Sequence, residues 1–432
     1  MCPTSPPRED CSLLSGYSYD ATALAASDRW IDSLDHDGFK ADIQQLGKAL
    51  REQQGPEDVA HLKKIILWSR LCMLAGLATM WYRVNPLSIY CLSLGCMTRW
   101  AIVAHHVCHG GFDKCSGGAF NRFKFGVGSL YRRCADWLDW MLVEAWNVEH
   151  NQLHHYHLGE TDDPDLVEEN LTRLREARVP RAAKYVVVGF FMLTWKWYYY
   201  APNTLKMLKL HEMRRRGQVP RDKSGKPISA GQLAALEVAT SPRVFFTAFE
   251  LFGQTLGPFF IRNFLLIPAV AGALLGWDAW RNSLLSMVFA ELLTNVHSFL
   301  NIVTNHAGPD LYRFQQPCEP RSATFYLRQV ISSVNFRTGS VGTFGGDFND
   351  FTHGWLNYQI EHHLWPDLSM LSYQKAAPLV KAICEKHQVP YVQQSVFWRL
   401  KQTIDIMVGD ASMRRFPTRW ERASDMRGTF AS

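Results

Sequence analysis

The sequence predicts an all-α membrane protein, about four transmembrane helices carrying a cytosolic helical cap. Three observations lead there. Apolar residues bunch into blocks of near-spanning length at about 65–82, 87–104, 259–275 and 284–303, where a bilayer asks for roughly twenty. The blocks come in pairs, joined by the short turns Arg83-Val84-Asn85-Pro86 and Gly276 to Arg281. Lys and Arg are in excess in the stretches after the second and fourth blocks, whereas the turns offer only Arg83 and Arg281. That bias places both termini and the long polar stretches in the cytosol.

Composition alone would hide this. Of 432 residues 47% are hydrophobic, and mean hydropathy is −0.15, values ordinary for a soluble protein. Segregation of the apolar residues, not their amount, marks the membrane. An aromatic content of 13% suits membrane interfaces. The net charge of +6 is modest, and runs such as Arg214-Arg215-Arg216 read as membrane flanks, not as a nucleic-acid surface. Ten cysteines are scattered without a CxxC pair, which argues against a disulfide framework or a zinc ribbon. Cys72, Cys91 and Cys96 lie in apolar blocks and read as small buried hydrophobes.

In chain order, residues 1–60 form a polar cytosolic segment with an amphipathic helix near 43–50, and the first thirty lack a signal or transit pattern. Residues 61–390 hold the membrane domain. Arg70 and Arg99 interrupt its first helical hairpin. Tyr185 to Tyr200 is apolar and aromatic but contains Lys196 and precedes Pro202, so it is expected to lie at the interface or partly in the membrane. Residues 391–432 form a polar tail.

The histidines decide the chemistry. Twelve of sixteen fall in four places: His105, His106 and His109; His150, His154, His155 and His157; His297 and His306; His353, His362 and His363. On an α-helix His105 and His109 share a face, as do His150 and His154, while His155 points about a quarter-turn away, towards a second ion. One HxxxH pair is weak, since such spacing arises by chance. Four clusters at the cytosolic ends of spans, or in the polar stretches following them, are not chance. A tetrahedral zinc takes three or four protein ligands, so this many imidazoles indicate two metals. His36, His61, His211 and His387 stand alone and carry no functional weight.

The pattern HxxxH, HxxxHH and QxxHH resembles the membrane fatty-acid desaturases. The similarity is greatest to those whose third cluster reads Gln359-Ile360-Glu361-His362-His363, here within Leu356 to Pro366. It covers roughly residues 65–390. The resemblance implies a non-haem centre of two iron ions, O2 as co-substrate, and a membrane lipid or acyl-CoA as substrate. It implies His105, His109, His150, His154, His155, His306, His362 and His363 as metal ligands. His106, His157, His297, His353 and Gln359 are further candidates for the metal or for the residues that orient its ligands. His106 stands where many relatives have Asp or Asn. Asp162, Asp163 and Asp165 are candidates to orient imidazoles, and Glu149 and Glu361 flank ligands without needing to touch metal. The His-Pro-Gly-Gly motif of a fused cytochrome b5 is missing, so electrons are expected from a separate cytochrome b5 or ferredoxin.

The expected activity is O2-dependent introduction of a double bond into a fatty-acyl chain, in the endoplasmic reticulum or a bacterial inner membrane. Trp100, Phe289 and Phe299 are candidate walls of an acyl tunnel. The same scaffold also serves hydroxylases and other lipid oxidases. A membrane zinc hydrolase and a non-catalytic, metal-stabilised receptor are the readings from other classes, and the number of histidines argues against the first.

Overall fold

A computed structural model describes residues 24–137, 140–218, 249–339 and 343–427. Its helices are α1 (His36–Gln53), α2 (Pro56–Thr79), α3 (Pro86–Cys108), α4 (143–157), α5 (181–215), α6 (Phe249–Leu275), α7 (Trp277–Asn305), α8 (Ala323–Ile331), α9 (Phe344–Thr352), α10 (Gln359–Leu364), α11 (Met370–Lys386) and α12 (Val396–Val408). Strand pairing among the described residues is confined to two parallel pairs of two-residue strands, 312–313 with 414–415 and 335–336 with 393–394.

Among the described residues, three helices are long and apolar enough to cross a membrane: α3, α6 and α7. The first apolar block is not one of them. It belongs to α2, which starts at Pro56 and carries Glu57, Asp58, Lys63, Lys64 and Arg70, so charge interrupts its apolar run. The α2–α3 hairpin forms where expected, with Thr79 and Ser88 hydroxyls 2.6 Å apart at its turn. Asn85 caps α3 by accepting from the Ser88 N–H at 2.8 Å. Outward leucines on α2 (Leu67, Leu71 and Leu74) are each more than half exposed.

The stretch around 185–200 is helical and continues past Pro202. It is part of α5, whose π-wound segment Lys196–Tyr200 absorbs the break. This helix packs along α7. Trp195 Nε1 donates to the Asn295 carbonyl at 2.8 Å, and the Lys196 ammonium pairs with the Glu291 carboxylate, both buried.

The cap is held to the membrane helices from both ends of the chain. The predicted amphipathic helix is α1; it buries Phe39, Ile43, Gly47 and Leu50 along one stripe. A Cβ on Gly47 would meet Trp365 Nε1 at 2.3 Å, so only glycine lets α1 lie against the segment that follows α10. Arg51 adds a fork to Asp367, with Nε and Nη2 donating at 2.9 and 2.7 Å. At the other end, buried Arg399 and Thr403 of α12 both donate to the Ala307 carbonyl, at 3.0 and 3.1 Å. The tail thereby fixes the backbone next to His306.

Candidate metal centre

Four separate segments bring their histidines to one buried place. His105 and His109 stand at the end of α3, which stops because Gly110 adopts φ 92°. Helix α4 supplies His150, His154 and His155, the break after α7 supplies His306, and α10 supplies His362 and His363. All eight are less than 9% exposed.

Their nitrogens fall into overlapping groups, with donors mutually within 4.8 Å: His105, His109, His150 and His362; His154, His306 and His363; His155, His362 and His363. The Nε2 atoms of His105 and His362 are 3.2 Å apart, and those of His150 and His105, His155 and His150, and His363 and His306 are each 3.3 Å apart. His109 Nε2 and His154 Nε2 are buried without a hydrogen-bond partner. Such nitrogens inside a protein call for an ion or a donor, and a set built of imidazoles suits iron, zinc, copper and nickel. Burial, reinforced by the neighbouring imidazoles, holds His109, His150, His155, His362 and His363 well below the ordinary imidazole range. Burial takes His306 down to about 3. They therefore stay neutral, the form that binds metal.

The sharing within α4 differs from the expectation. His154 joins His306 and His363, whereas His150 joins the α3 pair, with His155 between. Locally, Asn147–His154 is π-wound, with i→i+5 hydrogen bonding in place of i→i+4, and the His150 and His154 rings still stack, 5.1 Å apart. A further set of His150, His154 and Asp165 lies on the far side. There Asp163 accepts from His154 Nδ1 at 2.9 Å, and Asp165 lies 3.9 Å from the same nitrogen. Burial works against charge on His154, but Asp163 and Asp165 outweigh it and raise its pKa. Asp162 is exposed.

Four other histidine candidates each spend one ring nitrogen elsewhere, although His106 Nε2 is buried without a partner. His106 Nδ1 donates to the Ile102 carbonyl at 2.7 Å, His297 Nε2 to Thr352 at 2.7 Å, and His353 Nδ1 to Asn349 at 2.8 Å. His157 Nδ1 meets Glu160 at 2.7 Å. None of these four belongs to a donor group. Gln359, in contrast, puts its side-chain nitrogen 2.9 Å from His306 Nε2.

Several residues that the sequence did not single out shape α10. Trp355 takes φ 55° next to Gly354 at φ 70°, turning the chain sharply into the helix. Asp350 accepts from Asn357 and Tyr358 at 2.6 and 2.8 Å. Asn335 accepts from the Ile360 N–H at 2.9 Å and donates to Glu361 at 2.8 Å, and Tyr391 donates to Glu361 at 2.9 Å. Asn335 thus clamps the backbone of α10, with its side chain held in turn by Glu361. Tyr373 Oη lies 3.3 Å from His362 Nδ1. Asn335 and Tyr391 lie too far along the chain from His362 for spacing to find them.

A cavity of about 580 Å³ opens beside the centre. Its wall includes His306, Phe299 and Ile302, a face of α5 from Val187 to Lys206, and Asp165. Of the expected walls only Phe299 lines it. Trp100 packs against Trp140 with ring centroids 4.9 Å apart, and Phe289 is 45% exposed on the outside of α7.

A family model described as fatty acid desaturase matches residues 84–395. The chain belongs to the fatty acid desaturase family. Among its curated relatives, an NADPH-dependent stearoyl-CoA 9-desaturase of Mycobacterium tuberculosis is 22% identical over 84% of this chain and 79% of its own. An acyl-lipid (9-3)-desaturase of Physcomitrium patens is 29% identical over 32% of this chain and 23% of its own. A mouse fatty acid desaturase 2-like protein is 41% identical over 18% of this chain, and that match spans only 14% of the relative. No solved structure matches. The family match covers α3, all four segments that converge on the centre, and α10 with its clamp.

For this desaturase-family chain, Asp163→Asn is expected to weaken metal binding by about 10- to 100-fold while leaving the fold intact, because it removes the group that fixes the His154 ring. Iron titration of the apo-protein followed by thermal melting checks both halves. Unchanged affinity would assign Asp163 to the fold alone.

Proposed function

We propose that the protein is an O2-dependent, di-iron acyl desaturase that places a double bond in a fatty-acyl chain. The observation that carries this reading is a pair of buried imidazole groups, one of which contributes His306 to the wall of a largely apolar cavity. His105, His109, His150 and His362 would hold one iron, and His154, His306 and His363 the other, with His155 between. When bound, the irons supply the reduction of O2 and the removal of hydrogen from a methylene. The residues of this chain do the rest. Phe191, Trp195, Phe299 and Ile302 line the cavity and exclude water from an acyl chain. Asp163 fixes the His154 ring, Gln359 contacts His306, and Tyr373 contacts His362.

In the membrane, the apolar half of α2 forms a fourth span beside α3, its exposed leucines facing lipid. Both termini and the centre then face the cytosol, in an endoplasmic reticulum or bacterial inner membrane, where a separate cytochrome b5 or ferredoxin delivers electrons.

Expression in a host lacking the activity, followed by mass spectrometry of total fatty acids, tests the function. A new double bond that depends on oxygen supports it; a hydroxylated chain assigns the scaffold to a hydroxylase. Phe299→Trp, which fills part of the cavity, is expected to cut conversion of the longest chains most, read as the ratio of C16 to C18 products.

A further inference from the structure

Helix α5 presents Val187, Phe191, Trp195, Tyr199, Asn203 and Lys206 to the cavity, at steps of three or four that keep them on one face. That face runs about 28 Å at helical rise, and its character changes along the way. Its first half is apolar. Its far end carries an amide and an ammonium, faced across the cavity by Asp165.

Asn203 is 2% exposed, and its amide nitrogen has no hydrogen-bond partner. A buried amide donor is costly to leave without an acceptor, and here the open side is the cavity. Lys206, one turn on, is 4% exposed. The ligand atom that completes this end is an oxygen that accepts from the Asn203 amide.

We propose that Asn203, with Lys206 beside it, is the seat for the carbonyl oxygen of the substrate's acyl ester or thioester, and so a specificity-determining residue. This rests on the reading of the cavity as the acyl site. The cavity itself borders the centre: Asp165, in its wall, is 3.9 Å from His154 Nδ1, and His306 shares the wall. The alkyl tail then runs along the apolar half, towards Phe191 and Val187, in a cavity whose wall includes His306, so that a methylene and not the carbonyl meets the centre. Chain position is counted from the carbonyl, and tail length is accommodated at the other end.

Binding to the full-length, detergent-purified protein tests this without turnover. Two carriers are compared, stearoyl-CoA and a stearoyl phosphatidylcholine, each against its ether or thioether counterpart that lacks the C=O. The carrier that binds is expected to show about a tenfold preference for the carbonyl form, the size of one hydrogen bond to a buried donor. In Asn203→Leu that ratio falls to about one while the ether form still binds, since only the donor is lost. Asn203→Asp, which keeps the shape and removes the donor, repeats the loss and guards against misfolding of the first variant. Equal affinity of the wild type for both forms overturns the seat and leaves the cavity reading standing. Saturable binding of neither carrier overturns both.

Discussion

Detergent-purified wild-type protein is expected to carry about two irons per chain, and His362→Ala to lose both together with all measurable desaturation. His362 is the residue common to two donor groups: it completes the set of His105, His109 and His150, and it joins His155 to His363. Its removal leaves each neighbouring set one nitrogen short. It also leaves a void among rings whose nitrogens stand 3.2–3.3 Å apart. His154→Ala should behave differently. It takes a donor from the group with His306 and His363 and leaves the other four-histidine group whole, so about one iron is retained. His353→Ala should leave metal content unchanged, since that ring is spent on the Asn349 carbonyl. Elemental analysis of the three variants decides among readings. One zinc per chain, or metal unaffected by His362→Ala, would sink the di-iron assignment.

Most of this centre could be read from the sequence because imidazoles at helical spacing are conspicuous. The eight histidines, and Gln359 beside His306, come together in one buried place. The division between the two groups could not be read. Helix α4 is π-wound over Asn147–His154, and a π-turn has no reliable sequence signature. The groups that hold the ligands in place were invisible for another reason. Asn335, Tyr373 and Tyr391 come from other elements, and a lone Asn or Tyr has no spacing to betray it. Glu361 was legible only as a flanking acid, although it accepts from both Asn335 and Tyr391. The same limits apply to the fold. Apolar runs located α3, α6 and α7. Charge obscured the other two: Lys63, Lys64 and Arg70 interrupt the apolar character of α2, and in α5 Lys196 read as an interruption. Lys196 is instead buried against the partner that explains it.

That partner gives the second large effect. Glu291 is an acid inside a helix long enough to span the membrane, and Lys196 is the ammonium that meets it, each less than 5% exposed. Neither charge tolerates such a place alone. Two aromatic faces complete the enclosure, Trp140 at 4.7 Å and Phe259 at 5.2 Å from the ammonium. Lys196→Ala should therefore cost about 3–5 kcal/mol, because it strands a buried carboxylate and does not merely lose an attraction. The double change Lys196→Met with Glu291→Leu is expected to recover most of that stability, since desolvating two charges offsets much of what their pairing returns. Thermal melting in detergent gives both values. The pair also bears on the chemistry. Trp195, the neighbour of Lys196, lines the cavity and is tethered to Asn295 one turn from Glu291. If the ion pair sets the position of that wall, the double variant will fold well yet show an altered C16 to C18 product ratio. If it serves stability alone, the ratio will stay with the wild type. A single variant with wild-type stability would mean that the carboxyl is neutral in the membrane and that hydrogen bonding, not charge pairing, joins α5 to α7.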